Sequence, residues 1–160
     1  MATADEEQAV EYVRLGPSSP CSMAIQAAAM RAALSAAGIA AQEVDSINAH
    51  GTGTLANDSV ETAAIKAVFG ARAQHMPISA TKALHGHLLG AGGALECVMA
   101  LLALQHDVAL PTMHLQHSDP ACDLDYVPNV ARAGAAGRTM LSNSFAFGGT
   151  NAVLALRAAR

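Results

Sequence analysis

Apolar and polar positions along this chain switch between two periods, helical and extended. Over residues 22–37 the pattern is helical and rich in alanine, with Met23, Ile25, Met30 and Leu34 among the apolar positions, and Gly38 stands where a C-cap belongs. Residues 44–49 read as a strand that runs into a turn of small residues, HGTGT. Asn57 or Asp58 can cap a helix that continues to about Phe69, which Gly70 closes. Residues 77–81 read as a short strand. A glycine-rich bend over 85–93 leads into a long apolar helix that reaches about Gln105. Residues 107–138 are expected to be mostly irregular, with Pro111, Pro120 and Pro128 marking extended pieces. The strands 139–144 and 152–157, joined by FAFGGTN, form an antiparallel hairpin with a glycine tip. Strands alternating with helices predict a layered α/β domain over 22–157. Residues 1–21, broken by Gly16, Pro17 and Pro20, read as a divergent or remnant segment.

Composition sharpens this picture in one respect. The 160 residues are 52% hydrophobic and only 14% charged, roughly ten percentage points less charge than an ordinary soluble domain. So few charges cover a freestanding domain poorly, which predicts one face buried against a second domain or subunit. A net charge of −4 offers no basic footprint for nucleic acid. The apolar run 88–104 contains three glycines and Glu96 and is short for a membrane span, so it reads as a buried helix. The acidic N-terminus MATADEEQ is unlike a signal peptide. Cys21, Cys97 and Cys122 share no CxxC spacing and read as reduced thiols of a cytoplasmic protein.

The candidate chemistry lies in three stretches. His50 follows a strand, on a loop whose Gly51 and Gly53 allow close backbone approach and whose Thr52 and Thr54 offer hydroxyls. Alone, such a turn is better explained as a polar turn with a locally bonded histidine. Lys82 and His87 change its meaning, because two neutral imidazoles beside an ammonium can donate to an oxygen that gains negative charge. His85, two residues from His87, raises a metal reading. No carboxylate or cysteine stands at zinc-like spacing around the pair, and Gly86 supports a turn. The glycines of FGGTN lack the following Lys-Ser or Lys-Thr and the helix of a phosphate loop, whereas a backbone N–H at such a tip can serve an oxyanion. Glu96 in an apolar helix needs a partner if buried, and Lys82 is the natural one.

Taken together, AHGTGT at 49–54, Lys82 with His87 five residues on, and NSFAFGGTN at 143–151 resemble the motifs of two-histidine β-ketoacyl-acyl-carrier-protein synthases, in the same order. The connecting text is similar too: Asp58 and Glu61, GHLLGAGGALE at 86–96, LPT at 110–112 and CDLDYVP at 122–128. The resemblance implies the C-terminal half of a thiolase-like αβαβα sandwich. It implies that His50 and His87 stabilise the enolate formed as malonyl thioester loses carbon dioxide, and that Lys82 and Glu96 form a supporting ionic pair. Thr52 and Thr54 would bond the phosphopantetheine arm of acyl carrier protein, which is the substrate carrier, with no metal and no other cofactor. Phe147 would gate the acyl pocket and lend its N–H to the oxyanion hole, with Phe145, Gly148 and Gly149 shaping the same tip.

Two departures stand out. Ala146 occupies a position where this family usually has glycine, which bears on the acyl pocket. None of the three cysteines lies in the small-residue elbow that carries the family's nucleophile. An enzyme portion is therefore expected to need an N-terminal ketosynthase half, or a complete ketosynthase subunit, as a homo- or heterodimer. The alternative is a non-catalytic ketosynthase-like subunit, an interaction protein, although a scaffold has no need of both histidines and Lys82.

Overall fold

The architecture comes from a computed structural model that describes residues 22–146 and 149–159. The sequence reading of residues 1–21, Cys21 included, lies outside the described residues.

The first helix, α1 (Met23–Ala36), buries Gln26, Ala27, Ala29, Met30, Ala33 and Leu34 on one face. Its alanines let the neighbouring backbone come close. Strand β1 (Ser46–Asn48) follows, then α2 (Asp58–Phe69), whose N-cap Asn57 makes no side-chain cap bond and whose C-cap Gly70 sits at φ 58°. Strand β2 (Ile78–Ser79) leads into a one-turn helix α3 (Lys82–His85), and α4 (Gly92–His106) follows a 3-10 turn at Leu89–Ala91. Two short strands, β3 (Val108–Ala109) and β4 (Arg132–Ala133), pair antiparallel across the otherwise irregular stretch. The chain ends in the hairpin β5 (Thr139–Phe145) and β6 (Asn151–Arg157).

The main sheet has the order β2-β1-β5-β6. Strand β1 is parallel to both β2 and β5, and β5 pairs antiparallel with β6 from Thr139↔Arg157 to Phe145↔Asn151. Period-two alternation sends successive residues of this sheet to opposite faces. Leu141, Phe145, Val153 and Ala155 join α1 and α2 in one core, while Met140 and Leu156 join α4 in the other. The sheet is thus covered on both faces, and β1, at its centre, is buried at all three positions. Its polar side chains are satisfied internally: Ser46 Oγ donates to Ala136 O over 2.6 Å, and Asn48 bridges Ser142 Oγ and Thr81 Oγ1. Buried polar groups without such partners would cost the fold their full desolvation.

Sequence and structure differ at three places. The strands expected over 44–49 and 77–81 shrink to three and two paired residues. The bend expected over 85–93 starts with the helical turn α3, which Gly86 ends at φ 77°. The helix expected to be buried is only partly so. In α4 the buried residues are Gly92, Glu96, Ala100, Ala103 and Leu104, whereas Val98 and Leu102 are about half exposed. The segment Leu89–His106 has the length and hydropathy of a membrane span. It carries Glu96 in a buried ion pair and covers one face of the sheet, the pattern of a domain helix that is apolar all round.

Candidate active site

The C-terminal ends of the parallel strands β1 and β2 bring the first two motifs together. The loop after β1 turns sharply at Gly51, which has φ +44° and would place a Cβ 2.7 Å from Ala80 Cβ. No larger residue fits that approach without displacing the β2 loop. The turn directs His50 inward, leaving the residue only 8% exposed. Beyond it the Thr52 and Thr54 hydroxyls lie 2.9 Å apart on the outer part of the loop. A groove of about 900 Å³ passes Gly53, Thr54 and Tyr126 on that side, and its lining contains neither His50 nor His87.

His87 comes within reach from the loop after α3. The His50 and His87 rings meet edge to face, with centroids 5.7 Å apart and planes at 84°. The Leu89 N–H donates to His87 Nδ1 over 3.2 Å. That bond assigns Nδ1 as the acceptor and leaves Nε2 carrying the ring proton. The Phe145 ring packs against His50 from the hairpin, with centroids 5.9 Å apart. His50 Nδ1 is buried and has no hydrogen-bond partner among the described residues.

Lys82, at the start of α3, pairs with Glu96 on α4: Nζ lies 2.5 Å from Oε1, and both side chains are buried. The partner expected for a buried Glu96 is thus the one present. The arrangement has an electrostatic consequence for His50. Burial chiefly, then the Lys82 and His87 charges, lower its pKa to about 3. The ring is therefore neutral at ordinary pH, and a neutral imidazole can donate a hydrogen bond without first losing a charge. A ring held neutral by fixed surroundings, beside a second ring with its Nε2 protonated, suits an oxygen that becomes negative during reaction.

The element that sequence reasoning missed is Glu61. It was legible only as part of the text linking the first two motifs, yet it organises the His50 loop. Its Oε1 accepts from the His50 N–H at 2.8 Å and from Asn143 Nδ2 at 3.1 Å. Its Oε2 accepts from the Gly51 N–H at 3.0 Å and from Asn57 Nδ2 at 3.1 Å. Burial pushes the Glu61 carboxyl upward from the usual range, while these four donors pull the other way. A signal existed: Glu61 falls on the same α2 face as the buried Ile65 and Phe69, and an acid at i, i+4 and i+8 spacing with core residues needs internal donors.

The third motif is reached in part. Phe145 is buried at the end of β5, Gly149 is buried at φ 75°, and the Ala146 N–H donates to Thr150 O across the tip over 3.0 Å. Phe147 and Gly148 lie outside the described residues. His85 is half-buried on α3, and neither of its ring nitrogens has a partner among the described residues. Among the described residues no cluster of three or more His, Cys, Asp or Glu could hold a metal ion. Cys97 and Cys122 are half-buried free thiols, and Cys122, in its loop, has its pKa raised chiefly by burial.

Comparison with known proteins gives the family. The family model described as "Beta-ketoacyl synthase, C-terminal domain" matches residues 16–116. Nodulation protein E of Rhizobium sp. (strain N33) is 56% identical over 130 residues, which cover 81% of this chain and 32% of that protein. The 3-oxoacyl-[acyl-carrier-protein] synthase 2 of Coxiella burnetii is 51% identical over 127 residues, 79% of this chain and 30% of that protein. A type II polyketide synthase acyl-carrier protein in complex with its ketosynthase bound to the hexaketide superposes with a TM-score of 0.87 at 34% identity, covering 93% of this chain and 38% of that one. The chain thus spans about a third of the length of the relatives it matches.

Proposed function

The chain belongs to the β-ketoacyl synthase family, as its C-terminal domain with the thiolase-like α/β fold, and from that premise we propose that it supplies the enolate-stabilising wall of a condensing enzyme. The observation that carries this reading is the pairing of His50 and His87, ring to ring at 5.7 Å, beside the buried Lys82–Glu96 ion pair.

The chemistry follows from the geometry. A malonyl thioester on the phosphopantetheine arm of acyl carrier protein would place its thioester oxygen between the two rings. As the bond between the α-carbon and the carboxylate breaks, carbon dioxide leaves and the electron pair moves into the thioester carbonyl, giving an enolate. N–H donors from His50 and His87 stabilise the oxygen as its charge grows. The enolate carbon then attacks an acyl thioester held on a cysteine. The new carbon–carbon bond forms, and the thiolate leaves. Lys82 acts through Glu96 and through its field at His50, not by contact with substrate. Thr52 and Thr54 hold the arm. Phe145, Phe147, Gly148 and Gly149 shape the acyl side of the site, with Ala146 among them where the family usually has glycine.

The nucleophilic cysteine is assigned to an N-terminal ketosynthase half or a complete ketosynthase subunit, with which residues 22–157 form a dimeric enzyme in the cytoplasm. Acyl carrier protein is the proposed substrate partner, as in the complex of the similar ketosynthase. The two histidines and Lys82 favour this reading over a scaffold. The experiment is reconstitution: the chain is mixed with a cysteine-bearing N-terminal half and supplied with malonyl carrier protein and an acyl thioester. Carbon dioxide release that His50→Ala or His87→Ala lowers on the order of 10²–10³ supports the proposal. A stable heterodimer whose activity ignores both substitutions points to the scaffold.

A further inference from the structure

We propose that Asn143 is a positioning residue for His50, tying the histidine loop to the hairpin by sharing one oxygen of Glu61 with the His50 backbone. Asn143 Nδ2 donates to Glu61 Oε1 over 3.1 Å, and the His50 N–H donates to the same oxygen over 2.8 Å. A single oxygen therefore joins β5 to the loop after β1. Asn143 is fully buried, and its Nδ2 also lies 3.7 Å from Met30 Sδ on α1. That contact, with the carboxylate, orients the amide so that its nitrogen faces Glu61. Side chains two apart on a strand share a face, so Asn143 and Phe145 project to the same side of β5. Phe145 meets the His50 ring at 5.9 Å. The strand thus holds His50 twice, its backbone through Asn143 and Glu61 and its ring through Phe145. Immediately beyond Phe145 the chain enters the tip that the Ala146 N–H closes onto Thr150 O. The position of the enolate-stabilising ring is in this way set by the strand that carries the acyl-side loop.

A simpler role would have Asn143 only satisfy a buried carboxylate. The two roles differ in what a substitution moves. The charged or titratable groups around His50 are Lys82, His87 and, through the backbone, Glu61. A substitution of Asn143 by an apolar residue adds no charge near His50 and leaves Glu61 its three other donors. A shift in His50 behaviour would then report its placement.

The proposal rests on the enolate reading, so the test has two readouts. In the chain assembled with a cysteine-bearing N-terminal half, Asn143→Ala and Asn143→Leu are compared with the unsubstituted protein for decarboxylation of malonyl carrier protein. Asn143→Leu keeps the branched shape of the side chain and removes the donor to Glu61 without adding a charge, so it tests the contact even if Asn143→Ala folds poorly. Both are expected to lower kcat about tenfold or more, with KM within about twofold, the signature of an interaction made in the transition state. The second readout is nitrogen-15 NMR of labelled histidines in the same assembly. His50 should not titrate between about pH 5 and 8 in the unsubstituted protein, and should titrate inside that window once the loop is released. Variants that are merely less stable, with kcat and His50 titration unchanged, overturn the proposal. An unsubstituted assembly that releases no carbon dioxide sinks the function instead, and the His50 titration alone then decides the role of Asn143.

Discussion

Lys82 Nζ and Glu96 Oε1 lie 2.5 Å apart in a position where both side chains are buried. The pair fixes α3 against α4, and so fixes the loop that carries His87. Its net worth against an apolar pair of the same volume is small, because both charges have left water. Breaking it is another matter. Lys82→Met leaves Glu96 charged and buried, and Glu96→Leu does the same to Lys82. Each is expected to cost about 3–5 kcal/mol, read as a fall in urea midpoint with an unchanged slope. The double substitution should recover most of that stability. It should not recover activity, because the cation beside His50 is gone.

The lowered pKa of His50 makes stability depend on pH in a defined direction. The unfolded ring takes up a proton near its ordinary value of 6.5, while the folded ring resists protonation down to about 3. As pH falls through that interval the unfolded state gains a proton that the folded state lacks, so stability is lost. It is fully present above pH 6.5 and declines as pH falls toward 3, by up to a few kcal/mol at about 1.4 kcal/mol per unit. His50→Gln removes the titrating group. Denaturation midpoints measured across this range should decline less steeply for His50→Gln than for the unsubstituted chain.

Gly51 offers a prediction about the turn itself. A Cβ at this residue combines φ +44° with a 2.7 Å approach to Ala80 Cβ. Gly51→Ala is expected to cost about 1–3 kcal/mol from backbone strain alone, and more if the β2 loop must move. By contrast, Gly53 has a positive φ but open space around its Cβ position, so Gly53→Ala should cost less. Thermal midpoints of the two variants, compared side by side, check the ranking.

Much of this was legible in the sequence for a physical reason. The helices α1 and α2 and the hairpin obey local rules, namely periodicity, a glycine C-cap at Gly70 and a glycine tip, so their bounds follow from the chain. The Lys82–Glu96 pair followed from the cost of burying an isolated acid. What stayed hidden depends on contacts across the sheet. Glu61 gathers donors from residues as far away as Asn143; its place on the buried face of α2 says that it needs donors, but not which groups supply them. The outer face of α4 was misread because a helix that is apolar all round looks the same whether its second face is buried in this domain or left for a partner.

That outer face yields the last prediction. Leu84, Leu88, Leu89, Val98 and Leu102 are each 40% exposed or more, and Leu89 and Val98 exceed half. They lie on α3, on the His87 loop and on α4, the elements that carry Lys82, His87 and Glu96. Large apolar side chains left exposed on neighbouring elements favour burial in an interface. Purified alone, the chain should self-associate and bind a hydrophobic dye. The double substitution Val98→Lys and Leu102→Lys touches no buried position, so it should leave the thermal midpoint within about 0.5 kcal/mol equivalent while reducing self-association in sedimentation. The same substitutions should abolish assembly with the N-terminal half, because two ammonium groups would have to be desolvated in the interface. A monodisperse chain that binds no dye, or a doubly substituted chain that still assembles, would place the partner surface elsewhere and separate it from the His50–His87 wall.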